Sequence, residues 1–191
     1  INLGNNDYIA VSNTIKNSVL IYFLGGMIFC LLLLLIRDYV VEHLLTIDVN
    51  ALAVAKKIYV IALLSIFISI IQTPFNAIVL AHEKMSFYAY MTIFDSLSKL
   101  IVSFSLIAIP YNKLIVYSLL LLLSALTSFS IYVYYCFKSF PLSLKGGVLS
   151  RKIIKDITMF SFWNTFGNFA YVCRTQGINI AINVFFATTV N

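Results

Sequence analysis

Asp95 and Lys99 are the residues of this chain whose type and spacing most directly suggest chemistry. An acid and an amine four residues apart share one face of a helix, where they can pair or pass a proton. Both lie inside an apolar run at residues 87–109. Charges are costly at membrane depth, so they mark either an ion pair that orients a helix in its bundle or a relay for a proton or sodium ion. The residues alone leave both readings open. Tyr88, Thr92 and Ser103 fall with them in one arc of about 80° on a helical wheel.

A second stripe runs through the preceding apolar segment. Ser65, Ser69, Gln72 and Asn76 fall within about 60° of one another, beside Pro74. Proline removes the bond to the carbonyl of Ile70 and predicts a kink there. The third stripe is richer in amides: Asn164, Asn168, Tyr171, Thr175 and Asn179 span about 80°, and Gln176 and Asn183 widen the same face. Amides at membrane depth need partners or water, which predicts the wall of an aqueous cavity. Arg174 sits off that stripe. Its guanidinium stays charged and forks onto phosphate oxygens, so it suits an anionic ligand as well as an interfacial anchor or an interhelical pair.

Other chemistry finds no residues to stand on. The chain has no HExxH, GxxxxGK[ST] or CxxC pattern and no acidic cluster for a magnesium pyrophosphate. No catalytic residue, metal ligand or cofactor is expected, and the reading is not an enzyme. His43 and His82 stand alone near predicted interfaces, and Cys30, Cys136 and Cys173 lack paired spacing.

The elements that must hold these residues are membrane helices. A hydrocarbon layer of about 30 Å takes roughly 20 helical residues. Residues 17–36, 58–81, 87–109, 114–137 and 157–187 are each long enough, which predicts an all-α, polytopic transmembrane bundle with five helices. Composition agrees, since 61% hydrophobic and 10% charged residues cannot coat a soluble globule. A start at Ile1 and an end within an apolar pattern predict an internal piece of a longer chain.

The net charge of +6 is explained by the connections between spans rather than by nucleic acid. Lys16, Lys84, Lys138, Lys145, Arg151, Lys152 and Lys155 fall on one side, and Arg37, Lys56, Lys57 and Lys113 on the other. The richer side is normally cytoplasmic, which places residues 138–156 inside the cell. That stretch carries Pro141 and the Gly146-Gly147 pair and reads as a linker between two units, 1–137 and 157–191. Residues 37–57 are amphipathic, with Asp48 and Asn50 as candidate caps. The connections at residues 82–86 and 110–113 are short, so the second, third and fourth spans should be antiparallel neighbours. Unbroken Leu31 to Leu35 makes the first span lipid-facing, and hydroxyls of the fourth, Ser118, Ser124, Thr127, Ser128 and Ser130, should bond their own helix or allow close packing.

The order of features resembles a known family. NLGNNDY at residues 2–8, PFNAIVLAHEKMSFYAYMTIFDSLSKL at 74–100 and FSFWNTFGNFAYVCRTQGINIAINVFFATTVN at 160–191 resemble polysaccharide biosynthesis flippases of the Wzx type, of the superfamily that includes multidrug-extrusion and lipid II flippases. The resemblance implies about twelve helices in two lobes of six. This chain would supply part of the first lobe (1–137), the cytoplasmic inter-lobe linker (138–156) and the first helix of the second lobe (157–191). It further implies an oligosaccharide on polyprenyl pyrophosphate, such as an O-antigen unit, turned across the cytoplasmic (inner) membrane by alternating access, with H+ or Na+ as a coupling ion. Arg174 would then be a candidate to bind the pyrophosphate or sugar acids. A multidrug-extrusion cation antiporter shares the scaffold but should place carboxylates in the cavity, and Lys99 can neutralise Asp95. A membrane-embedded polymerase or acyltransferase is the third reading and should show a His/Asp pair or a large external loop.

Overall fold

The computed structural model describes residues 8–44, 52–108, 113–141 and 147–186, with the side chains of residues 9–42, 52–107, 113–141 and 147–174. Five long helices account for nearly all of them: α1 (Tyr8–Tyr39), α2 (Leu52–Ala81), α3 (Met85–Ala108), α4 (Lys113–Ser139) and α5 (Arg151–Phe186). A π turn, Val40–Leu44, continues α1, and no strand occurs among the described residues. The candidate caps Asp48 and Asn50 lie outside those residues.

Among the described residues, four segments are long and apolar enough to cross a bilayer: Ile9–Glu42, Leu52–Ala81, Met85–Ile107 and Lys113–Ser139. The protein is therefore a multi-pass membrane protein. The fifth expected span falls on α5, which is less apolar than the other four long helices. α5 forms across it without a break, but the amides of the third stripe and Arg174 dilute its hydrophobic run. α1 also begins nine residues before the expected start at Asn17, because the polar sequence from Tyr8 to Lys16 is helical too.

The chain divides into two compact units, Ile1–Leu149 and Ser150–Asn191. In the first, α2 lies between α1 and α4, and α3 packs mainly on α4 with a smaller contact to α2. Its core is at one end of the bundle. Phe75, Ile78 and Val79 of α2, Met91 of α3, and Tyr132, Cys136 and Phe140 at the end of α4 are buried together. Aromatic rings lock that end: Phe87 stacks on Tyr135 at 3.7 Å between centroids, and His82 on Phe140 at 4.0 Å. Such ring pairs add specific geometry to the area they bury.

Most hydroxyls satisfy themselves within their own helix. Ser65 donates to the carbonyl of Ile61, Ser69 to Ser65 and Thr73 to Ser69 in α2. Thr127 and Ser130 of α4 bond back to Ser124 and Leu126. In hydrocarbon this removes the cost of an unpaired hydroxyl without recruiting a neighbour. Close approach instead uses small residues. A methyl group on Gly26 of α1 would meet Ile70 at 3.0 Å and Phe67 at 3.3 Å, both on α2. α2 itself runs through Pro74 without interruption, so the expected kink does not break the helix.

The α2–α3 turn is a Schellman motif. Lys84 N donates to Val79 O at 3.1 Å and Glu83 N to Leu80 O at 3.0 Å, with Glu83 at φ 56°. These bonds cap the last carbonyls of α2 and reverse the chain in three residues.

The stretch read as a linker is partly docked. Gly147 O accepts from Lys16 Nζ at 2.7 Å and Val148 O from Asn17 Nδ2 at 3.0 Å, while Val148 N donates to Asn13 Oδ1 at 2.6 Å. Ser12 and Asn17 are buried beneath it. Within the stretch 138–156, residues 147–148 are thus strapped to α1. Polar residues near the start of α1 supply the donors and acceptors that an irregular backbone needs at a buried face.

Candidate functional site

Three apolar helices enclose one polar cleft. Ser69, Gln72, Thr73 and Asn76 of α2, Asp95 and Lys99 of α3, and Ser124 and Ser128 of α4 line about 200 Å³, with Leu121 and Ala125 on the α4 wall. Helical periodicity builds it. Positions 69, 72, 73 and 76 recur on one face of α2, 95 and 99 on one face of α3, and 121, 124, 125 and 128 on one face of α4. Each face would be expensive against lipid, so the three turn toward one another.

Two stripes predicted separately from the sequence therefore meet. Ser69, Gln72 and Asn76 share the cleft with Asp95 and Lys99, while Ser65 lies one turn away. Ser103 and Lys99 belong to a neighbouring shallow hollow with Leu100, Phe104 and Ile107. Thr92 donates to Tyr88 O within α3. Ser124 and Ser128 were legible only as helix-packing hydroxyls. Their four-residue spacing is the same signal that marked Asp95 and Lys99, and two serines on a leucine-rich helix gave it little contrast.

The carboxylate of Asp95 takes its hydrogen bond from Ser128, across the α3–α4 interface. This differs from the direct pair with Lys99 that the spacing suggested. Among the described residues, the ion pairs join Arg37 to Asp38 and Lys56 to Asp38 and Glu42, and Asp95 and Lys99 are not so joined. The acid is reached more directly by a hydroxyl on the facing helix than by an amine on its own. Both charged groups still open into the same cleft.

Asn76 contributes a buried side-chain oxygen, Oδ1, with no protein hydrogen-bond partner. A buried amide oxygen without a donor is uncommon and calls for water, an ion or a moving group nearby. With Asp95 and the serines it offers a set of hard oxygen ligands and one titratable carboxyl. No group of three or more His, Cys, Asp or Glu side chains occurs among the described residues. The donor set suits a proton, a monovalent cation or water.

The third stripe belongs to the second unit. Asn164, Asn168, Tyr171 and Arg174 are exposed along α5, as are the aromatic residues interleaved with them, Phe162, Trp163, Phe166 and Phe169. Exposure thus does not set the amides apart from the apolar face. The side chains of Thr175, Gln176, Asn179 and Asn183 lie outside the described residues. Cys136 is buried and donates to Phe75 O, and Cys30 donates to Leu63 O, so both act as small helix-packing residues.

A family model described as polysaccharide biosynthesis protein matches residues 5–190. No curated protein and no solved structure matches the chain.

Proposed function

We propose, for a chain that belongs to the polysaccharide biosynthesis protein family, that it is part of a flippase of the Wzx type. It acts as a transporter and not as an enzyme. The cargo is an oligosaccharide on polyprenyl pyrophosphate, moved across the cytoplasmic membrane for surface polysaccharide export. Family membership over nearly the whole chain carries this reading, together with its four bilayer-crossing segments. In this reading residues 138–156 face the cytoplasm between two lobes, α5 opens the second lobe, and Arg174 binds pyrophosphate through its guanidinium fork. The cleft between α2, α3 and α4 holds the coupling ion, H+ or Na+, at Asp95.

One observation favours the multidrug-extrusion antiporter as the second reading. Asp95 is not paired with Lys99, so the argument that the amine neutralises it loses force. A cation coupled through Asp95 fits either cargo, and the family assignment favours the saccharide.

The test uses the full-length protein in cells lacking their own flippase, with surface polysaccharide measured against membrane abundance. Arg174→Ala and Arg174→Glu should lower export at normal abundance, the glutamate more severely, and Arg174→Lys should restore part of it. Asn168→Leu and Asn179→Leu should impair export, whereas Leu35→Ala, on an exposed position of α1, should not. Cysteine at Leu149, in a background without the native cysteines, should react with an impermeant maleimide only after cells are opened. Wild-type export by both Arg174 variants would remove this residue from the mechanism.

A further inference from the structure

The seam between α1 and α2 changes character along its length in an order that matches a phospholipid. Met27, Cys30, Leu31 and Leu34 of α1 face Val60, Leu63, Leu64 and Phe67 of α2 across a groove of about 200 Å³ whose walls are almost wholly apolar. Positions 27, 30, 31 and 34 step by three and four, and the next positions on that face are 37, 38 and 41. On α2 the face runs back from Val60 to Lys56. The two faces do meet there. Lys56 Nζ donates to Glu42 Oε1 at 2.6 Å and lies 3.1 Å from Asp38 Oδ1.

The groove therefore ends in charge. Beyond Leu34 and Val60 the seam first presents the cations Arg37 and Lys56, then the carboxylate of Glu42, with Asp38 bridging them. Leu34 to Arg37 is a rise of about 4.5 Å. The two acids are the more exposed members, with side chains 55% and 41% accessible against 33% and 28% for Arg37 and Lys56. Their bonding capacity is not used up. Arg37 reaches Asp38 through Nε and Nη2, which leaves Nη1, and Lys56 directs one N–H to each acid and keeps a third. Glu42 accepts through Oε1 and retains Oε2.

We propose that this seam is a binding site for a phospholipid with a zwitterionic, amine-bearing headgroup. One acyl chain lies in the groove, the phosphate accepts from Arg37 and Lys56, and the primary ammonium donates to Glu42. The match is one of sequence along an axis: apolar wall, cation and anion on the protein against chain, phosphate and ammonium on the lipid. Charge balance separates headgroups. Two cations beside two acids gain little from a net-negative lipid, whereas a headgroup carrying both signs finds a partner for each. The inference is independent of the cargo proposed above.

The experiment is native mass spectrometry of the full-length protein in mild detergent, titrated with dioleoyl phosphatidylethanolamine or dioleoyl phosphatidylglycerol. Phosphatidylethanolamine should remain bound at about tenfold lower concentration, the size of one well-made charge-assisted contact. Glu42→Gln should remove that preference while lipid retention persists. Lys56→Met should weaken both lipids, and Leu64→Trp, which fills the groove, should weaken both as well. Lys57→Gln, an exposed neighbour, should change nothing. Gel filtration and helicity identify any variant that misfolds, and Leu31→Phe then replaces Leu64→Trp. Equal retention of the two lipids by the wild type would overturn the proposal, as would a preference unchanged by Glu42→Gln.

Discussion

Asn17 on α1 donates its side-chain amide to the carbonyl of Val148, 131 residues later, at 3.0 Å, and to the carbonyl of Asn13 at 2.6 Å. Its side chain is fully buried. The bond ties the segment after α4 to the first helix, beside Gly147, where a methyl group would meet Ser12 O at 2.6 Å.

Asn17→Ala should therefore destabilise the first unit by about 1–3 kcal/mol, the cost of leaving a buried partner unsatisfied. Gly147→Ala should cost a similar amount, about 1–3 kcal/mol, through overpacking against backbone that cannot move aside. Thermal unfolding of the full-length protein in detergent checks both, and faster tryptic cleavage at Arg151 or Lys152 should accompany release of the strap. An unchanged melting temperature in both variants would show that the strap does not hold.

The acid in the cleft should couple to α4 more strongly than to its own helix. In a double-mutant cycle, Asp95→Ala with Ser128→Ala should show a coupling of about 1.5–3 kcal/mol, the range for hydrogen bonds to charged groups. The cycle of Asp95→Ala with Lys99→Ala should show less. A larger coupling to Lys99 would restore the ion pair suggested by the four-residue spacing.

Glu83 occupies the left-handed region at φ 56°, which a side chain makes unfavourable by about 1–2 kcal/mol and glycine does not. Glu83→Gly should raise stability by up to about 1 kcal/mol, and Glu83→Val should lower it, because a β-branched residue tolerates this region worst. Chemical unfolding of the two variants side by side provides the comparison, and a destabilised glycine variant would contradict the cap.

His82 stacks on Phe140 at an interplanar angle of 11°. Burial pulls its pKa below the ordinary 6.5, and the nearby charge of Lys84 adds to the shift. Because the folded protein holds the proton less tightly than the unfolded chain, the stabilisation is complete above about pH 6.5 and is lost as pH falls through that value toward the lowered one. Melting temperature should drop on acidification across this window, and His82→Phe, which keeps a stacked ring without a titrating nitrogen, should flatten that part of the profile. An identical pH profile for the variant would place the dependence elsewhere.

The sequence determined the class of this protein because bilayer physics acts on runs of residues, and those runs are visible without coordinates. Apolar length gave the helices, and three- and four-residue periodicity showed that Ser69, Gln72 and Asn76 share a face, as do Asp95 and Lys99. Helical boundaries were less legible: polar residues such as Asn13 and Lys16 extend α1, and their partners, the backbone groups of Val148 and Gly147, lie far along the chain. Only tertiary structure decided which faces meet. The spacing of Asp95 and Lys99 allowed a pair, but Ser128, 33 residues away, takes the carboxylate once α3 and α4 pack together. The seam from Leu34 through Arg37 to Lys56 and Glu42 likewise joins residues of two helices, and its polarity exists only because α1 and α2 lie side by side. Periodicity fixes what one helix can present, while the choice of partner depends on contacts between distant segments that no local spacing encodes.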